Sequence, residues 1–291
     1  MDVGGTAIKS AMIDDSDILS DTRVTPSDRD ATARTYKALE VAKSYGDFDA
    51  VSVATTGQVD IDSQEVLFQY GKRNEPDHGS YSFGEILQSA IDRPVFVLND
   101  CNAAALGEAH FGAGKDFNSF LCLSYGTGVG GAIIEGKRLY TGRRGIAGEM
   151  GHMVTHKGGR LCGCGGRGRY EQYASTTALL KSARKLIPQL ENAKEIFCEE
   201  NLTPEMNRVI RSWESEIVAG LFTLTYIFNP QALILGGGIM EQNAVIEGVR
   251  RLYYKGVIPT FKNVSLLSAG LGNQAGMYGA AVYARQCLGI M

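Results

Sequence analysis

Short apolar runs alternate with amphipathic segments along the 291 residues of the chain. Apolar runs closed by turn signals predict five strands, over residues 47–54, 94–98, 119–124, 232–235 and 264–267. Apolar residues at helical spacing predict helices over residues 102–110, 171–185 and 203–229, and from about residue 274 onward. Strands and helices mixed in this order predict an α/β fold with layered sheets and helices.

Glycine changes this picture, because 15 of the 36 glycines lie between Gly126 and Gly168. Glycine concentrates where the backbone turns sharply or approaches a ligand closely. Within this segment, residues 132–140 have the pattern of a hairpin that turns at Glu135-Gly136.

Composition and charge exclude several classes of protein. The formal net charge is −3 and no basic block occurs, so nothing indicates a nucleic-acid partner. The most apolar stretch, residues 217–228, is too short to cross a bilayer. The first residues show neither a basic nor an apolar leader region. Four of the six cysteines have the scattered apolar or helical contexts of reduced, buried thiols, namely Cys101, Cys122, Cys198 and Cys287. We therefore expect a cytoplasmic protein with no membrane partner.

The first glycine turn is Gly4-Gly5-Thr6, which follows Asp2-Val3. Backbone N–H groups in such a turn can hold phosphate oxygens, and the threonine hydroxyl adds a donor. The carboxylate of Asp2 could hold Mg²⁺ through water. An ordinary hairpin turn explains the same residues equally well.

The second turn, over residues 126–131, satisfies the dinucleotide pattern G-x-G-x-x-G. A Rossmann turn must open a helix, whereas here a hairpin is predicted to follow. The Gly-Lys-Ser/Thr ending of a P-loop is also absent from the sequence. Two similar turns between strands instead suggest that both hold one phosphate chain.

Asn99-Asp100 lies where a predicted strand ends, which is where α/β folds place their ligands. An aspartate there could accept the proton of an attacking hydroxyl during phosphoryl transfer. Either residue could instead be only the N-cap of the alanine-rich helix that follows, and taken singly the cap is favoured.

The segment after the hairpin carries further candidate groups. Glu149 and His152 are followed by Cys162 and Cys164, and then by Arg169 and Glu171. One histidine and two closely spaced cysteines are typical metal ligands, but structural zinc requires four. The two glutamates and the histidine are also suited to binding vicinal hydroxyls.

Taken together, these motifs resemble the ROK family of sugar kinases, within the actin-like ATPase superfamily. The resemblance covers almost the whole chain. It rests on Asp2-Val-Gly-Gly-Thr6, Asn99-Asp-Cys-Asn-Ala-Ala-Ala-Leu-Gly-Glu108, Gly126-Thr-Gly-Val-Gly-Gly131, Gly148-Glu-Met-Gly-His152, Cys162-Gly-Cys-Gly165 through Glu171, and Leu235-Gly-Gly-Gly238.

The resemblance implies a role for each motif. Asp100 would be the base that deprotonates the primary hydroxyl of the sugar. The residues that would bind the other hydroxyls are Asn99, Glu149, His152 and Glu171. Those that would hold ATP are Gly4, Gly5, Thr6, Thr127 and Gly128 at the phosphates and Gly236, Gly237 and Gly238 at the adenosine. Asp2 would lie near Mg²⁺.

The sequence departs from the family at its zinc site. Zinc-bearing members have the pattern Cys-x-Cys-Gly-x-x-Gly-Cys-x-Glu, and this chain has Arg169 at the position of the third cysteine. The zinc ligands would be His152, Cys162, Cys164 and that missing cysteine. A guanidinium beside two thiolates repels a dication, so we expect zinc to be weakened or absent. Water, His156 or another group remains an alternative fourth ligand.

The resemblance further implies an α/β, ribonuclease H-like fold of two domains with a cleft between them, and a homodimer. We predict a small domain over residues 1–98, completed by a helix at about 276–291, and a large domain over 99–275 with the metal-type loop. The expected activity is ATP-dependent phosphorylation of a hexose at its 6-hydroxyl, glucose being favoured. N-acetylmannosamine, fructose or β-glucosides are alternative substrates, and a non-catalytic sugar-binding or regulatory protein is the alternative of another class.

Overall fold

The computed structural model of the protein describes residues 1–68 and 80–291. The chain folds into two compact units. The first unit comprises residues 1–115, 133–147 and 273–291, and the second comprises residues 116–132 and 148–272. In the described residues, every helix is too short or too polar to span a membrane.

The first unit is built on a five-stranded sheet with the order β3-β2-β1-β4-β7. Its strands are β1 (Asp2–Val3), β2 (Ala7–Ile13), β3 (Leu19–Pro26), β4 (Val51–Thr55) and β7 (Val95–Asn99). The first three are antiparallel neighbours, whereas β4 is parallel to both β1 and β7. A separate small ribbon pairs β5 (Gln58–Val59) with β6 (Val66–Phe68).

The helices that the described residues of this unit form are α1 (Ala31–Lys43), α2 (Phe83–Gln88), α3 (Asp100–Phe111) and α8 (Ala275–Leu288). The apolar sides of its strands and of α1 and α2 form a continuous core that contains Val3, Ile8, Val53, Phe83 and Val97. Burial of such side chains contributes about 1.5–3 kcal/mol each.

Helices α3 and α8 pack closely because glycines line their contact. A Cβ at Gly107 would collide with the backbone carbonyl of Ala275, and one at Gly279 would collide with that of Ala103. This packing keeps α3 with the first unit, which therefore extends to Lys115. The division differs from the predicted one, which has its boundary after residue 98 and assigns the hairpin over 132–140 to the second domain.

A second sheet has the order β10-β9-β8-β11-β12, which repeats the strand order of the first. Its strands are β8 (Ser119–Tyr125), β9 (Val129–Glu135), β10 (Arg138–Leu139), β11 (Ala232–Gly236) and β12 (Ser265–Ser268). The last two are parallel to each other, and β11 is parallel to β8. Each sheet thus has a glycine turn between its first two strands in chain order, where the sequence predicted phosphate binding.

The helices of the second unit are α4 (Glu171–Ala174), α5 (Thr176–Ala183), α6 (Pro204–Phe228) and α7 (Asn243–Gly256). The side chain of Thr203 caps α6, Pro204 is its first residue, and Asn229 ends it in the left-handed conformation. These ends are as predicted.

The single helix predicted over residues 171–185 is wrong. Ser175 is extended and caps α5 with its side chain, which separates α4 from α5. The indole of Trp213 donates hydrogen bonds to the carbonyl oxygens of Ala174 and Ser175 at 2.9 and 3.0 Å. These tertiary bonds satisfy carbonyls that a continuous helix would have used itself.

Candidate active site

The carboxyl ends of β1, β4 and β7 lie side by side in the first unit. Val3 is paired with Thr55, and Thr55 is paired with Asn99. This is the edge at which open α/β sheets bind ligands. The predicted base and the first turn predicted to bind phosphate therefore belong to the same edge.

Asn99 is the N-cap of α3, and Asp100 is its first helical residue. The Asn99 side-chain oxygen accepts hydrogen bonds from the backbone N–H groups of Cys101 and Asn102 at 2.9 and 3.1 Å. Its amide nitrogen donates to the Gly57 carbonyl at 2.9 Å and to Asp100 Oδ1 at 3.0 Å. Of the two residues, Asn99 is thus the one that caps the helix, and its amide group orients the Asp100 carboxylate.

The pKa of Asp100 is raised to about 6, first by burial and then by the negative charge of Asp2. Hydrogen bonds from Cys101 and Asn99 oppose this rise. Burial also raises the pKa of Asp2, whose carboxylate lies 3.7 Å from the Lys9 ammonium. A carboxylate with a pKa near 6 is still charged at neutral pH and holds a proton better than ordinary aspartate, as a general base requires.

Lys9 and Arg34 are two cationic residues of this edge that the sequence analysis did not single out. Lys9 is the direct antiparallel partner of Asp2, so the hairpin register about Gly4 could have indicated it. Arg34 on α1 is only 4% exposed, and its guanidinium lies 3.8 Å from where a Cβ of Gly5 would be. Nothing in the sequence marks a single arginine on an amphipathic helix as part of a site.

The first turn closes tightly between β1 and β2. The backbone N–H of Gly4 donates to the carbonyl of Ala7 at 3.0 Å, and Gly5 and Thr6 are exposed. The hairpin interpretation of this turn is therefore correct, and it leaves the exposed turn accessible to a phosphate group.

The second turn lies directly beside a candidate sugar-binding residue of the same unit. The N–H of Gly126 donates to the carbonyl of Gly128 at 3.0 Å, and β9 follows. A Cβ at Gly128 would collide with the carboxylate of Glu171. The strand after the turn confirms that the G-x-G-x-x-G match is not a Rossmann turn.

The segment 148–152 packs on the first residues of β9 through glycines. A Cβ at Gly131 would lie 2.7 Å from the carbonyl oxygen of Gly148, and one at Gly151 would collide with that of Val129. This close packing places Glu149 and His152 next to the second turn. The imidazole Nε2 lies 3.6 Å from a carboxylate oxygen of Glu149.

The pKa of His152 depends on the charges of Glu171 and Arg169. Burial lowers the pKa of His152, the Glu171 charge opposes this change, and the Arg169 charge adds to it. The imidazole is then neutral at neutral pH and can both donate and accept a hydrogen bond. The second unit thus brings together the three residues predicted to bind sugar hydroxyls, namely Glu149, His152 and Glu171.

The third glycine motif follows β11, also in the second unit. Gly237 has φ +96°, and a Cβ there would collide with the backbone carbonyl of Tyr125 at the end of β8. Gly238 is approached by the side chain of Lys194, whose ammonium lies 3.9 Å from Glu241. The motif therefore lies at the same edge of the sheet as the second turn.

Three possible metal ligands come together in the described part of the chain. The ligand atoms of His152, Cys162 and Cys164 lie within 4.8 Å of one another. The Cys162 thiol donates to Glu171 Oε1 at 3.0 Å, and burial together with this bond raises the pKa of Cys162 to about 12. His156, the alternative fourth ligand, instead stacks on Tyr173 with ring centroids 3.8 Å apart.

Arg169 is the next neighbour of this group. Its Nη1 donates to the backbone carbonyl of His152 at 2.8 Å, and its guanidinium also interacts with Cys164. A zinc ion would thus find only three donors, and one of them, the Cys162 thiol, is hydrogen-bonded to Glu171. The permanent positive charge of Arg169 would repel the ion. These residues do not fit a structural zinc site.

The comparisons with known proteins agree with this arrangement. A profile of the ROK family matches residues 1–287. The chain belongs to the ROK family. The glucokinase of Streptomyces coelicolor is 33% identical to it, over 98% of this chain and 96% of its own. The N-acetylmannosamine kinase of Pasteurella multocida is 29% identical, over 99% of this chain and 96% of its own.

A solved structure extends the comparison to three dimensions. It is a ROK family glucokinase from Streptomyces griseus in complex with glucose and AMPPNP, with a TM-score of 0.84, 32% identity and 98% of each chain covered. The predicted family and the α/β, actin-like ATPase fold are thereby confirmed. The roles of the individual site residues stay predictions.

Proposed function

We propose that this ROK protein transfers the γ-phosphoryl group of ATP to the 6-hydroxyl of a hexose, with glucose as the favoured substrate. The chain is an ATP-dependent sugar kinase, as the related glucokinases are. The position of the transferred group, the sugar and the roles of the residues are our proposal.

The observation that carries the proposal is the Asn99–Asp100 pair at the carboxyl edge of the first sheet. Asn99 orients the carboxylate, and the raised pKa lets it take a proton from the sugar hydroxyl. As that oxygen forms its bond to the γ-phosphorus, the bond from phosphorus to the β-phosphate oxygen breaks and ADP leaves. The transferred phosphoryl group needs positioning and charge neutralisation more than covalent help.

The remaining site residues bind and orient the substrates in this proposal. Asn99, Glu149, His152 and Glu171 bind the other sugar hydroxyls. Gly4, Gly5 and Thr6 and the pair Thr127-Gly128 hold the phosphates, and Gly236, Gly237 and Gly238 line the adenosine. The proximity of Glu171 to Gly128 supports this assignment, because a turn proposed to bind phosphate lies next to a carboxylate proposed to bind sugar.

The chemistry of Asp2 fits a magnesium ion. The Asp2 carboxylate lies near that of Asp100, and the pKa of Asp2 is raised. Carboxylate oxygens are hard ligands of the kind that Mg²⁺ prefers. Asp2 would hold the ion through water, and the ion would neutralise phosphate charge. Lys9 adds a fixed positive charge beside the same carboxylate.

N-acetylmannosamine is the second candidate substrate, because its kinase from Pasteurella multocida matches nearly the whole chain. Fructose and β-glucosides are further candidates of the same chemistry. The alternative of another class, a non-catalytic sugar-binding or regulatory protein, is disfavoured by the similarity to glucokinases over nearly the whole chain. The presence of both phosphate turns and of Asp100 favours the enzyme.

The decisive experiment is a coupled ADP-release assay with ATP, Mg²⁺ and a panel of these sugars. We expect the highest kcat/KM with glucose and a loss of about 10²–10⁴-fold in Asp100→Asn. The exposed Asp92, on the loop before β7, provides the matched control Asp92→Asn, which should keep full activity. No turnover with any sugar, or full activity of Asp100→Asn, would refute the mechanism.

We also propose that the protein is a cytoplasmic homodimer. Size-exclusion chromatography with light scattering checks the oligomeric state, and a monomer at micromolar concentration would contradict it.

A further inference from the structure

Arg169 lies within the loop that carries the metal-type residues. Its backbone pairs with Val154 in an isolated bridge, and its guanidinium donates to the carbonyl of His152 at 2.8 Å. The same side chain lies over the next turn of the loop, since a Cβ at Gly166 would be 2.6 Å from Arg169 Nε. The guanidinium therefore contacts both segments of chain that a metal would tie together.

We propose that the Arg169 guanidinium takes the structural place of a metal ion in this loop. A tetrahedral zinc ion would link His152 to Cys162 and Cys164 through their side chains. Arg169 links the same two segments through a hydrogen bond to the backbone carbonyl of His152 and an electrostatic interaction with the side chain of Cys164. The charge of the guanidinium then opposes the binding of zinc to the remaining three donors.

This cross-link also positions two residues of the proposed sugar site. His152 is held through its own carbonyl, and Glu171 is held by the Cys162 thiol at 3.0 Å. Cys162 is 3% exposed, and its N–H donates to the Gly166 carbonyl at 2.8 Å, within the loop that Arg169 closes. We therefore infer that Arg169 is a positioning residue for sugar binding. This part rests on the proposed function, whereas the metal replacement does not.

The first test measures metal content by mass spectrometry. Wild type and Arg169→Cys are stripped with chelator, incubated with zinc and freed of excess metal. We expect well below one zinc ion per chain in wild type and about one in Arg169→Cys, in which the fourth thiolate completes a tetrahedral set. Wild type with one tightly held zinc ion per chain would overturn the proposal, and so would Arg169→Cys without zinc.

The second test removes the cross-link without offering a ligand. We expect Arg169→Gln to unfold at a lower temperature than wild type and to show a KM for sugar raised about tenfold or more, with the KM for ATP nearly unchanged. Misplacing a binding group by 1 Å can cost about 100-fold. Arg167→Gln in the same loop is the matched control, because Arg167 is exposed and should tolerate the change.

Zinc provides the rescue. In Arg169→Cys, added zinc should restore the unfolding temperature and the KM for sugar, and chelator should reverse both. If the protein phosphorylates no sugar, the zinc content and the unfolding temperature still test the metal replacement, so the two failures are distinguishable. Should Arg169→Cys fail to fold, the zinc content of wild type and the unfolding temperature of Arg169→Gln still test the metal replacement. An Arg169→Gln variant as stable as wild type would overturn the proposal.

Discussion

The carboxylate of Glu171 occupies the space that a side chain at position 128 would need. Gly128 is part of the second turn proposed to bind phosphate, and Glu171 is the first residue of α4. One glycine thus lets the phosphate side and the sugar side of the proposed site approach each other within a single unit.

Substitution of Gly128 by alanine should therefore harm catalysis more than folding. The new methyl group must displace Glu171, so we expect kcat/KM for the sugar to fall by about 100-fold, the scale of a 1 Å misplacement. Steady-state kinetics with varied sugar and ATP measure this effect. Gly46→Ala is the control, because no heavy atom beyond its two chain neighbours lies within 4 Å of a Cβ there. Equal activities of the two variants would contradict the steric argument.

The raised pKa of Asp100 predicts the pH dependence of the reaction. The base must be deprotonated to accept a proton, so kcat/KM for the sugar should fall as the pH drops below about 6. The fall should approach about tenfold per pH unit, because a single proton blocks the base. Kinetics between pH 4.5 and 8 in Mg²⁺ check this. A rate that stays constant down to pH 5 would show that Asp100 is not the base.

A buried carboxyl in the second unit predicts a pH-dependent stability. Glu214 on α6 is 3% exposed, packs against Gly248 of α7 and lies 4.0 Å from Arg251. Burial raises its pKa above the ordinary 4.5, and Arg251 only partly opposes this. The folded state therefore keeps the proton to higher pH than the unfolded state, and the free energy of unfolding decreases as the pH rises above 4.5.

Glu214→Gln removes this pH dependence, since glutamine has no proton to lose. We expect the variant to gain stability relative to wild type as the pH rises from 4.5 towards 8, measured by urea unfolding at several pH values. Arg251→Gln should lose stability relative to wild type as the pH rises, because it removes the cation that stabilises the charged carboxylate of Glu214. A constant difference between Glu214→Gln and wild type at all pH values would contradict the assignment.

Local patterns predicted most of the elements around the site. The apolar run at residues 94–98 is β7, and Thr203-Pro204 begins α6 as expected from its cap. The pattern failed at Ser175, where apolar spacing is continuous but Trp213 binds the carbonyls of Ala174 and Ser175. Those bonds join residues 38 and 39 positions apart, and local propensity contains no information about them.

The sequence by itself determined the family, the fold class and the candidate residues, because six motifs in a fixed order depend only on residue type and spacing. Tertiary structure decided which of those residues meet. In the tertiary structure Asn99 caps α3, and the Glu171 carboxylate lies beside Gly128. The Arg169 guanidinium lies beside His152 and Cys164. These relationships arise from close packing and charge between distant segments, whose free energies depend on positions in space and not on neighbours along the chain.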